Sequence, residues 1–360
     1  MSGKRALVLG SRVAGLTCAR LLGARGWRVD CVAHGGSPGP VVILDHSIAK
    51  LMLELWCEDE TLFAGAHRLH GRVVRWEHAA EQAYRAALAL AMPVDVLAAR
   101  LADRARTGGL RFVAPDRADP ARYDWVVHAG GRDAMMGEAI EFGRRRGVAV
   151  SIRLTPRAHT DRAAIESVPG GWLFVIPQGL GRGMLQAVFA DCAADPRAEL
   201  FAALGRSTAT SVLVEDVVGE PAGFPAMPCL AAAPCTPSAI AVGDAAMALD
   251  PLSGSGVGSG VRSAILAAAV LEAAARDAMP QSCFDHYTRR LRASMRSHVL
   301  SCVEFYGRAA YAADWRAEIG AMIEALHRLP AERTAPRFRL DHGRLDRMPA
   351  ASPADAIHAG

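Results

Sequence analysis

Hydrophobic residues in the first part of the chain alternate between strand-like runs and helical spacing. An apolar run at 5–9 ends at Gly10, helical spacing follows over 13–26, and a second apolar run occupies 27–33. This order predicts a β-α-β unit. The segment 40–56 then has the pattern of a short strand that turns directly into a helix.

The next segments extend the same mixture of strands and helices. Polar and apolar residues alternate over 67–78, which predicts a strand with arginines on one side and valines on the other. Residues 93–109 have the spacing of an amphipathic helix that ends at a glycine pair. The runs 110–115 and 123–132 predict two further strands, the second of them buried and leading into glycines.

The middle of the chain has a different pattern. Three runs, 148–156, 171–179 and 184–191, follow each other with short turns, which indicates an antiparallel sheet inserted into the first domain. A buried strand then returns at 239–246, and an alanine-rich helix follows at 260–278. The whole pattern predicts an α/β protein.

Composition and charge exclude several classes of protein. With 51% apolar residues in 360, the chain can bury one large core or two joined ones, and the net charge of +4 is scattered, so nucleic acid is not an expected partner. No signal-peptide pattern or membrane-length apolar run is apparent, so we expect a cytoplasmic protein that does not bind membranes. The eight cysteines form no close pairs, which favours reduced thiols and no metal site.

A glycine turn follows the first predicted strand. Gly10 and Gly15 occupy the first and third glycine positions of G-x-G-x-x-G between a strand and a helix, which predicts a dinucleotide site. Arg12 replaces the middle glycine, and Ala33 stands where an acid usually binds the adenosine ribose. Ala14 and His34 complete this predicted site, although a plain strand-to-helix turn is an alternative.

The segment 243–264, "GDAAMALDPLSGSGVGSGVRSA", resembles the second flavin motif of FAD-dependent aromatic hydroxylases. The resemblance implies that the aspartate binds the ribityl and pyrophosphate region of FAD and that the loop N–H groups face the isoalloxazine ring. A helix-capping loop is the alternative. The residues that carry the motif or are expected to bind FAD with it are Gly243, Asp244, Pro251, Gly254, Ser255, Gly256, Val257 and Gly260.

Two further segments resemble parts of the same family. "YDWVVHAGGRDA" is similar to the strand that lies beneath the adenine half of FAD, and it adds Gly130 to the expected cofactor contacts. The helix at 94–105 resembles a family helix, with Val96 in place of the usual arginine. Arg12, Ala33 and Val96 thus each replace a usual FAD contact, so a binding module that has lost its cofactor is an alternative function.

Residues 171–177, "GWLFVIP", are similar to the W-x-W-x-I-P motif of flavin-dependent tryptophan halogenases, with Phe174 as the second aromatic residue. Alignment with that family places Arg68 at the position of its lysine and Ser253 at that of its glutamate. Arginine is not deprotonated at neutral pH, so it cannot readily form a haloamine, and chlorination is disfavoured. The segment 287–318 most resembles the C-terminal helices of halogenase-like flavoproteins that hydroxylate a peptidyl tryptophan during tryptophylquinone maturation.

The resemblance implies an FAD-binding Rossmann-like domain, like that of p-hydroxybenzoate hydroxylase, with an inserted antiparallel substrate sheet and C-terminal helices. We expect FAD as the cofactor and hydroxylation of an aromatic ring through a flavin C4a-hydroperoxide. The expected segments are an FAD-binding domain of 1–64, 79–147 and 236–280, a substrate domain of 65–78 and 148–235, a wholly helical segment of 281–328 and a loosely ordered tail of 329–360.

Candidate catalytic and substrate residues follow from these positions. His46, after the strand expected to reach the flavin edge, is a candidate for acid–base chemistry, and Arg68 is a candidate for binding an anionic substrate. A helix-capping role for His46 and a solvated role for Arg68 are the alternatives. Leu44, Trp172 and Phe174 are expected to line the substrate pocket, unless they only pack in the core.

The sequence therefore predicts an FAD-dependent monooxygenase that acts on an aromatic small molecule or a peptidyl tryptophan. Electrons would come from NAD(P)H or from a separate flavin reductase. A flavin-dependent reductase or dehydrogenase and a halogenase are the alternative enzymes.

Overall fold

The computed structural model describes residues 4–33, 39–57, 59–77, 82–156, 158–191, 195–276, 280–330, 338–341 and 343–348. Its first elements are β1 Arg5–Leu9, α1 Val13–Gly23, β2 Arg28–Val32, β3 Val41–Leu44, α2 His46–Trp56, β4 His67–Arg75, β5 Gln82–Pro93, α3 Val94–Thr107, β6 Arg111–Val113, β7 Trp125–His128 and β8 Ala139–Glu141. The next are β9 Arg146–Leu154, β10 Arg162–Val168, β11 Gly171–Gly179, β12 Arg182–Phe189, α4 Pro196–Arg206, β13 Val214–Pro225, β14 Cys229–Ala231, β15 Ala239–Ala241 and β16 Met247–Ala248. The last are α5 Gly256–Ala274, α6 Gln281–Gly307, α7 Arg316–Arg328, β17 Phe338–Asp341 and β18 Arg344–Arg347.

A five-stranded parallel sheet carries the first domain, in the order β15-β7-β1-β2-β6. The central strand β1 contains Ala6, Leu7 and Val8, which are fully buried, because helices cover both faces of such a sheet. The β-α-β unit predicted from the first apolar runs is confirmed by β1, α1 and the parallel register of β1 with β2. The strand predicted at 239–246 forms as β15 and returns to the edge of this sheet beside β7.

An eight-stranded sheet packs against the first domain, in the order β13-β9-β12-β11-β10-β4-β5-β3. All of its pairings are antiparallel except that of β10 with β4, so the predicted antiparallel arrangement of β9, β11 and β12 is confirmed. Strand β11 is buried on both faces. Trp172, Phe174 and Ile176 join the main core, whereas Leu173 and Val175 face a second core beneath α4.

The C-terminal segment is not wholly helical, contrary to the sequence-based expectation. Helices α6 and α7 are separated by 308–315, where a short 3₁₀ turn places Trp315 fully buried against the ring of Tyr306, with centroids 4.1 Å apart. Part of the tail is ordered as the antiparallel hairpin β17–β18, whose Phe338 is buried. The tail residues 331–337, 342 and 349–360 lie outside the described ranges.

Helix α5 is long and apolar enough to cross a membrane, which the sequence analysis did not anticipate. In the structure, however, 67% of its most apolar window is buried inside the protein. Small residues make this burial possible: an added Cβ at Gly260 would lie 3.4 Å from the side chain of Ala14, so α5 and α1 pack closely. It therefore has the environment of a core helix.

Candidate cofactor and active site

Glycines occupy two positions of the turn between β1 and α1 because the backbone that follows β7 passes close to this turn. Gly10 has a φ of +125°, and a Cβ there would lie 2.4 Å from the carbonyl oxygen of Ala129. A Cβ at Gly15 would lie 2.1 Å from the carbonyl oxygen of Gly10. Both glycines are therefore required by packing between strand, turn and helix, which is the geometry of a dinucleotide-binding turn.

Asp244 lies directly across from this turn. Its neighbour Gly243 has a φ of +61° and leaves only 2.9 Å between an added Cβ and the side chain of Ala14. The Gly243 N–H donates to the Ser263 hydroxyl at 2.9 Å, which fixes the loop to α5. The Asp244 side chain is exposed to the cavity but surrounded by protein, and this loss of solvation raises the pKa of its carboxyl, while Arg132 and Arg12 oppose the rise.

The glycine loop after Asp250 places the start of α5 on the same cavity as Asp244. Pro251 begins a short 3₁₀ turn, Asp250 caps it by accepting from the Leu252 N–H at 2.8 Å, and Gly254 takes the left-handed conformation at φ +61°. The N-cap residue of α5, Ser255, does not cap the helix with its side chain, because its hydroxyl donates to the carbonyl of Ser253 instead. The start of α5 therefore provides the partial positive charge of a helix N-terminus.

A cavity of about 460 Å³ lies between the dinucleotide turn, this loop and the eight-stranded sheet. The predicted site residues that line it are Arg12, Ala14, Phe174, Gly243, Asp244, Pro251, Gly254, Gly256, Val257 and Gly260. Its sheet side is mostly apolar, and it is formed by Phe174, Ile176 and Phe224 together with the polar Gln186. A polar, backbone-rich wall thus faces an apolar one, which is the arrangement expected for a planar ligand.

Several predicted residues are near this cavity without lining it. Gly10 and Gly15 are buried beneath it, and Ser255 and Gly130 border segments that do line it. Leu44 is 1% exposed and packs in the main core. His34 lies outside the described residues.

The two candidate catalytic residues are both on exposed surface. His46 is the first residue of α2, and the cap of that helix is Asp45, which accepts from the Ile48 N–H at 2.9 Å. His46 is therefore not the capping residue that the alternative interpretation proposed. Arg68 is 64% exposed and lies 3.6 Å from the carboxylate of Glu60. Neither residue lines the cavity, so their catalytic roles stay predictions.

The end of the cavity expected to hold adenine lacks acidic contacts from β2. Ala33 is exposed at the end of that strand, and the nearby acid, Asp30, is buried and engaged elsewhere. Hydrogen bonds from Arg111 and Tyr123 lower the pKa of Asp30, so this carboxylate stabilises the sheet edge. Val96, the third replaced position, is 39% exposed on α3.

Sequence analysis missed a buried charge network behind the glycine loop. Arg145 is 0% exposed, and its guanidinium donates to Asp250 at 2.7 Å and to Glu318 at 2.9 Å. It also donates to the carbonyl of Phe142 at 3.1 Å. Burial alone would lower the pKa of Arg145, but the charge of Asp250 raises it overall, so the arginine stays charged.

The same network reaches the large sheet through two aromatic residues. The Tyr306 hydroxyl donates to Asp250 at 3.0 Å and accepts from the Trp172 Nε1 at 3.2 Å. Trp172 is fully buried and does not line the cavity, whereas Phe174, two residues further along the same face of β11, does. On the other side, the Asp250 N–H donates to Nε2 of His298 at 2.9 Å. Asp250 thus joins the loop, α6, α7 and β11.

A sequence signal for this network was present but incomplete. The aspartate stands directly before the proline of the recognised motif, so a structural role for Asp250 could have been inferred. Its partner lies in a run of three arginines, 144–146, and the sequence does not indicate which of the three is buried. Only the turn before β9, which points Arg145 inward, decides this.

Comparison with known proteins places this geometry in a structural group. No protein-family model matches the chain, and no curated protein matches its sequence. Solved structures do match its fold. The peptidyl tryptophan dihydroxylase QhpG, essential for tryptophylquinone cofactor biogenesis, is 19% identical with a TM-score of 0.78, over 96% of this chain and 86% of that one.

Two halogenases match over similar lengths. The flavin-dependent halogenase CmlS is 16% identical with a TM-score of 0.74, over 87% of this chain and 68% of that one. The myxobacterial chondrochloren halogenase CndH, described as a variant of FAD-dependent halogenases, is 18% identical with a TM-score of 0.73, over 85% of this chain and 83% of that one. The chain therefore has the fold of the flavin-dependent halogenases and of a peptidyl tryptophan hydroxylase, as the sequence resemblance predicted.

Proposed function

We propose that this protein is an FAD-dependent monooxygenase that hydroxylates an aromatic ring. The observation that supports this most directly is the placement of Asp244 beside the uncapped start of α5, in a cavity whose opposite wall is apolar. An acidic residue, free N–H groups and an apolar sheet face are the three features that a flavin ring system with a polar tail requires.

The residues of the cavity fit FAD at its flavin end. Asp244 would accept hydrogen bonds from hydroxyl groups of the ribityl chain, and the N–H groups of Gly256 and Val257 would contact the polar edge of the ring. Arg12 lines the cavity beside the dinucleotide turn, where its guanidinium would pair with the phosphates. The fit is poorer at the adenine end, where Ala33 and Val96 offer no polar side chain.

When bound and reduced, FAD would supply the activation of dioxygen and the transfer of one oxygen atom to an electron-rich ring. The protein would contribute positioning and exclusion of water. Phe174 and Ile176 would cover the reacting face with apolar surface. The N-terminus of α5 would stabilise the negative charge of the reduced cofactor because of its partial positive charge.

We further propose that the aromatic ring is a tryptophan side chain of a peptide or protein precursor. Two observations support this class of substrate: the fold match to QhpG covers nearly the whole chain, and the C-terminal helices resemble the same subgroup in sequence. Electrons would come from NAD(P)H or from a separate flavin reductase. The protein would act in the cytoplasm.

Halogenation is not supported by the lysines of this chain. Only Lys4 and Lys50 are present in the sequence. Lys4 lies 3.4 Å from Glu272 and Lys50 lies 3.9 Å from Glu54, and neither lines the cavity. Arg68, at the aligned lysine position, is exposed and cannot act as an amine nucleophile. A haloamine-based reaction would therefore have no residue to carry it.

Two measurements, made one after the other, test the proposal. Titration of the purified protein with FAD should produce a perturbed flavin spectrum and saturable binding. The FAD-loaded protein, reduced by a flavin reductase and NADH under labelled dioxygen, should then transfer one labelled oxygen atom to a tryptophan-containing peptide, detected by mass spectrometry.

The outcomes separate the alternatives. Absence of FAD binding at high micromolar concentration would favour a binding module without a cofactor. FAD binding with substrate oxidation but without labelled oxygen in the product would indicate a dehydrogenase, because hydride transfer adds no oxygen from the gas.

A further inference from the structure

A second cavity, of about 950 Å³, lies beside the loop that precedes α5. Its walls are α5, the middle of α6 and the hairpin β17–β18. Leu249 lines both this cavity and the cofactor cavity, but the two use different faces of α5: Ser259 and Leu266 line the second cavity, whereas Gly256 and Gly260 line the first. The second cavity is therefore a separate space that shares one wall residue with the first.

Small hydroxyl side chains leave this space open. Ser259 on α5 and Ser294 and Ser297 on α6 line the cavity where the two helices face each other. Ser294 and Ser297 are exposed and Ser259 is half-buried, so these small side chains border the opening of the cavity to solvent. The volume of the cavity lies within the range of roughly 300–1,000 Å³ that is typical of small-molecule sites.

The charged side chains in the described lining of this cavity are all positive. Its described lining contains three arginines, Arg262, Arg290 and Arg339, and no acidic side chain. The two lining histidines, His286 and His298, add no charge, because burial lowers the pKa of each. The side chains of Arg290 on α6 and Arg339 on the hairpin are exposed, and neither guanidinium makes a hydrogen bond or ion pair within the part of the chain that the structure describes. Two guanidinium groups from different walls are thus available to an anion.

Between these basic groups the surface is apolar. Leu291 on α6, Ile265 on α5, and Phe338 and Leu340 on the hairpin all line the cavity. Phe338 is only 5% exposed and packs edge-on against His286, with ring centroids 5.5 Å apart. A fully hydrated inorganic anion would leave this apolar surface unused, whereas an organic anion would contact both kinds of surface.

We propose that this second cavity binds an organic anion that has one carboxylate head and an apolar body. The head would pair with Arg290 and Arg339, and the body would lie against Leu291 and Leu340. The proposal concerns a different cavity from the one assigned to FAD and does not depend on the flavin chemistry, so either can fail alone.

Isothermal titration of the full-length protein with decanoate, with and without saturating FAD, tests the proposal. We expect saturable binding of decanoate in both conditions and no saturable binding of decylammonium, which has a similar chain and the opposite charge. The double substitution Arg290→Gln with Arg339→Gln should weaken decanoate binding about ten-fold or more, because it removes both charged partners of the carboxylate.

Two further variants make the result specific. Arg292→Gln, on the same helix but outside the lining, is the matched control and should bind decanoate like the unmodified protein. Ser294→Trp, at an exposed position of the lining, adds a large side chain to the cavity and should weaken decanoate binding without changing the arginines. The proposal is overturned by absence of decanoate binding, by equal affinity in the double-arginine variant, by unchanged binding in Ser294→Trp, or by displacement of decanoate by FAD.

Discussion

The two ends of the cofactor cavity are built in different ways. At the flavin end, the backbone of 243–260 is fixed by glycine geometry, by the Ser263 hydroxyl and by the Arg145 network behind Asp250. At the end where adenine is expected, Ala33 and Val96 have no polar side chain and do not line the cavity, and Asp30 of β2 is bound by Arg111. The difference indicates that recognition of the cofactor would be concentrated at the flavin ring and the phosphates.

Loss of the buried network should have the largest effect on the protein. Arg145→Met leaves Asp250 and Glu318 as buried, unpaired carboxylates, and removal of one partner of a buried ion pair costs about 3–5 kcal/mol. Chemical denaturation should therefore show a lower free energy of unfolding. Arg144→Met, at the exposed neighbouring arginine, is the control and should change it by less than about 0.5 kcal/mol. Equal stability of the two variants would contradict the assigned role of Arg145.

Removal of the carboxylate at the flavin end should have the next largest effect. Asp244→Ala deletes hydrogen bonds that a charged acceptor would make to FAD, and these are worth roughly 1.5–3 kcal/mol, so the dissociation constant for FAD should rise about ten-fold or more. Titration followed by flavin absorbance measures this change. Asp116→Ala, in a short turn away from the cavity, should leave the affinity unchanged. If Asp244→Ala retained FAD equally well, the loop would be misassigned.

A gain of affinity at the adenine end would sharpen the comparison. Ala33→Glu places a carboxylate where the adenosine ribose is expected, and one new hydrogen bond should tighten FAD binding by a few-fold, corresponding to about 1 kcal/mol. FMN, which lacks the adenosine, should bind the unmodified protein within about ten-fold of FAD and should not respond to the substitution. An equal response of FMN and FAD to Ala33→Glu would show that the ribose does not lie there.

The smallest effect is expected at Arg68. Its ion pair with Glu60 joins two exposed side chains, so Arg68→Ala should change the free energy of unfolding by less than about 0.5 kcal/mol and leave FAD affinity unaltered. Thermal denaturation and flavin titration check both expectations. A large fall in turnover with unaltered FAD affinity would support the predicted role of Arg68 in binding an anionic substrate.

The sequence predicted elements best where local pattern and burial agree. The β-α-β start, α2, α3 and the three strands β9, β11 and β12 follow directly from the period of apolar residues. The apolar pattern did not identify β10, because this strand contains the buried, charged Glu166. The carboxylate of Glu166 accepts hydrogen bonds from Ser207 and from the backbone N–H groups of 208–210, a loop that is distant in sequence. It also missed β13, an irregular edge strand with shifts in register.

The candidate site was partly predictable for the same reason. Glycines with unusual backbone angles, such as Gly10 and Gly254, mark close approaches that can be recognised in a sequence. The second cavity could not be predicted, because it forms between α5, α6 and a hairpin that meet only in the folded protein. Likewise, Trp172 belongs to a recognisable motif, but its complete burial outside the cavity depends on Tyr306 of α6, which packs against it only in the folded protein.

The parallel pairing of β10 with β4 has a consequence for how the chain reaches its native state. In the described sheet, residues 162–166 join 71–75, so β3, β4 and β5 are completed only by strands made much later in synthesis. Such distant pairing slows folding, since the entropy of a long intervening segment must be lost before the contacts form. An N-terminal half of the protein would therefore expose the unpaired edge of β4 and depend on the second half, or on a chaperone, to remain free of aggregation.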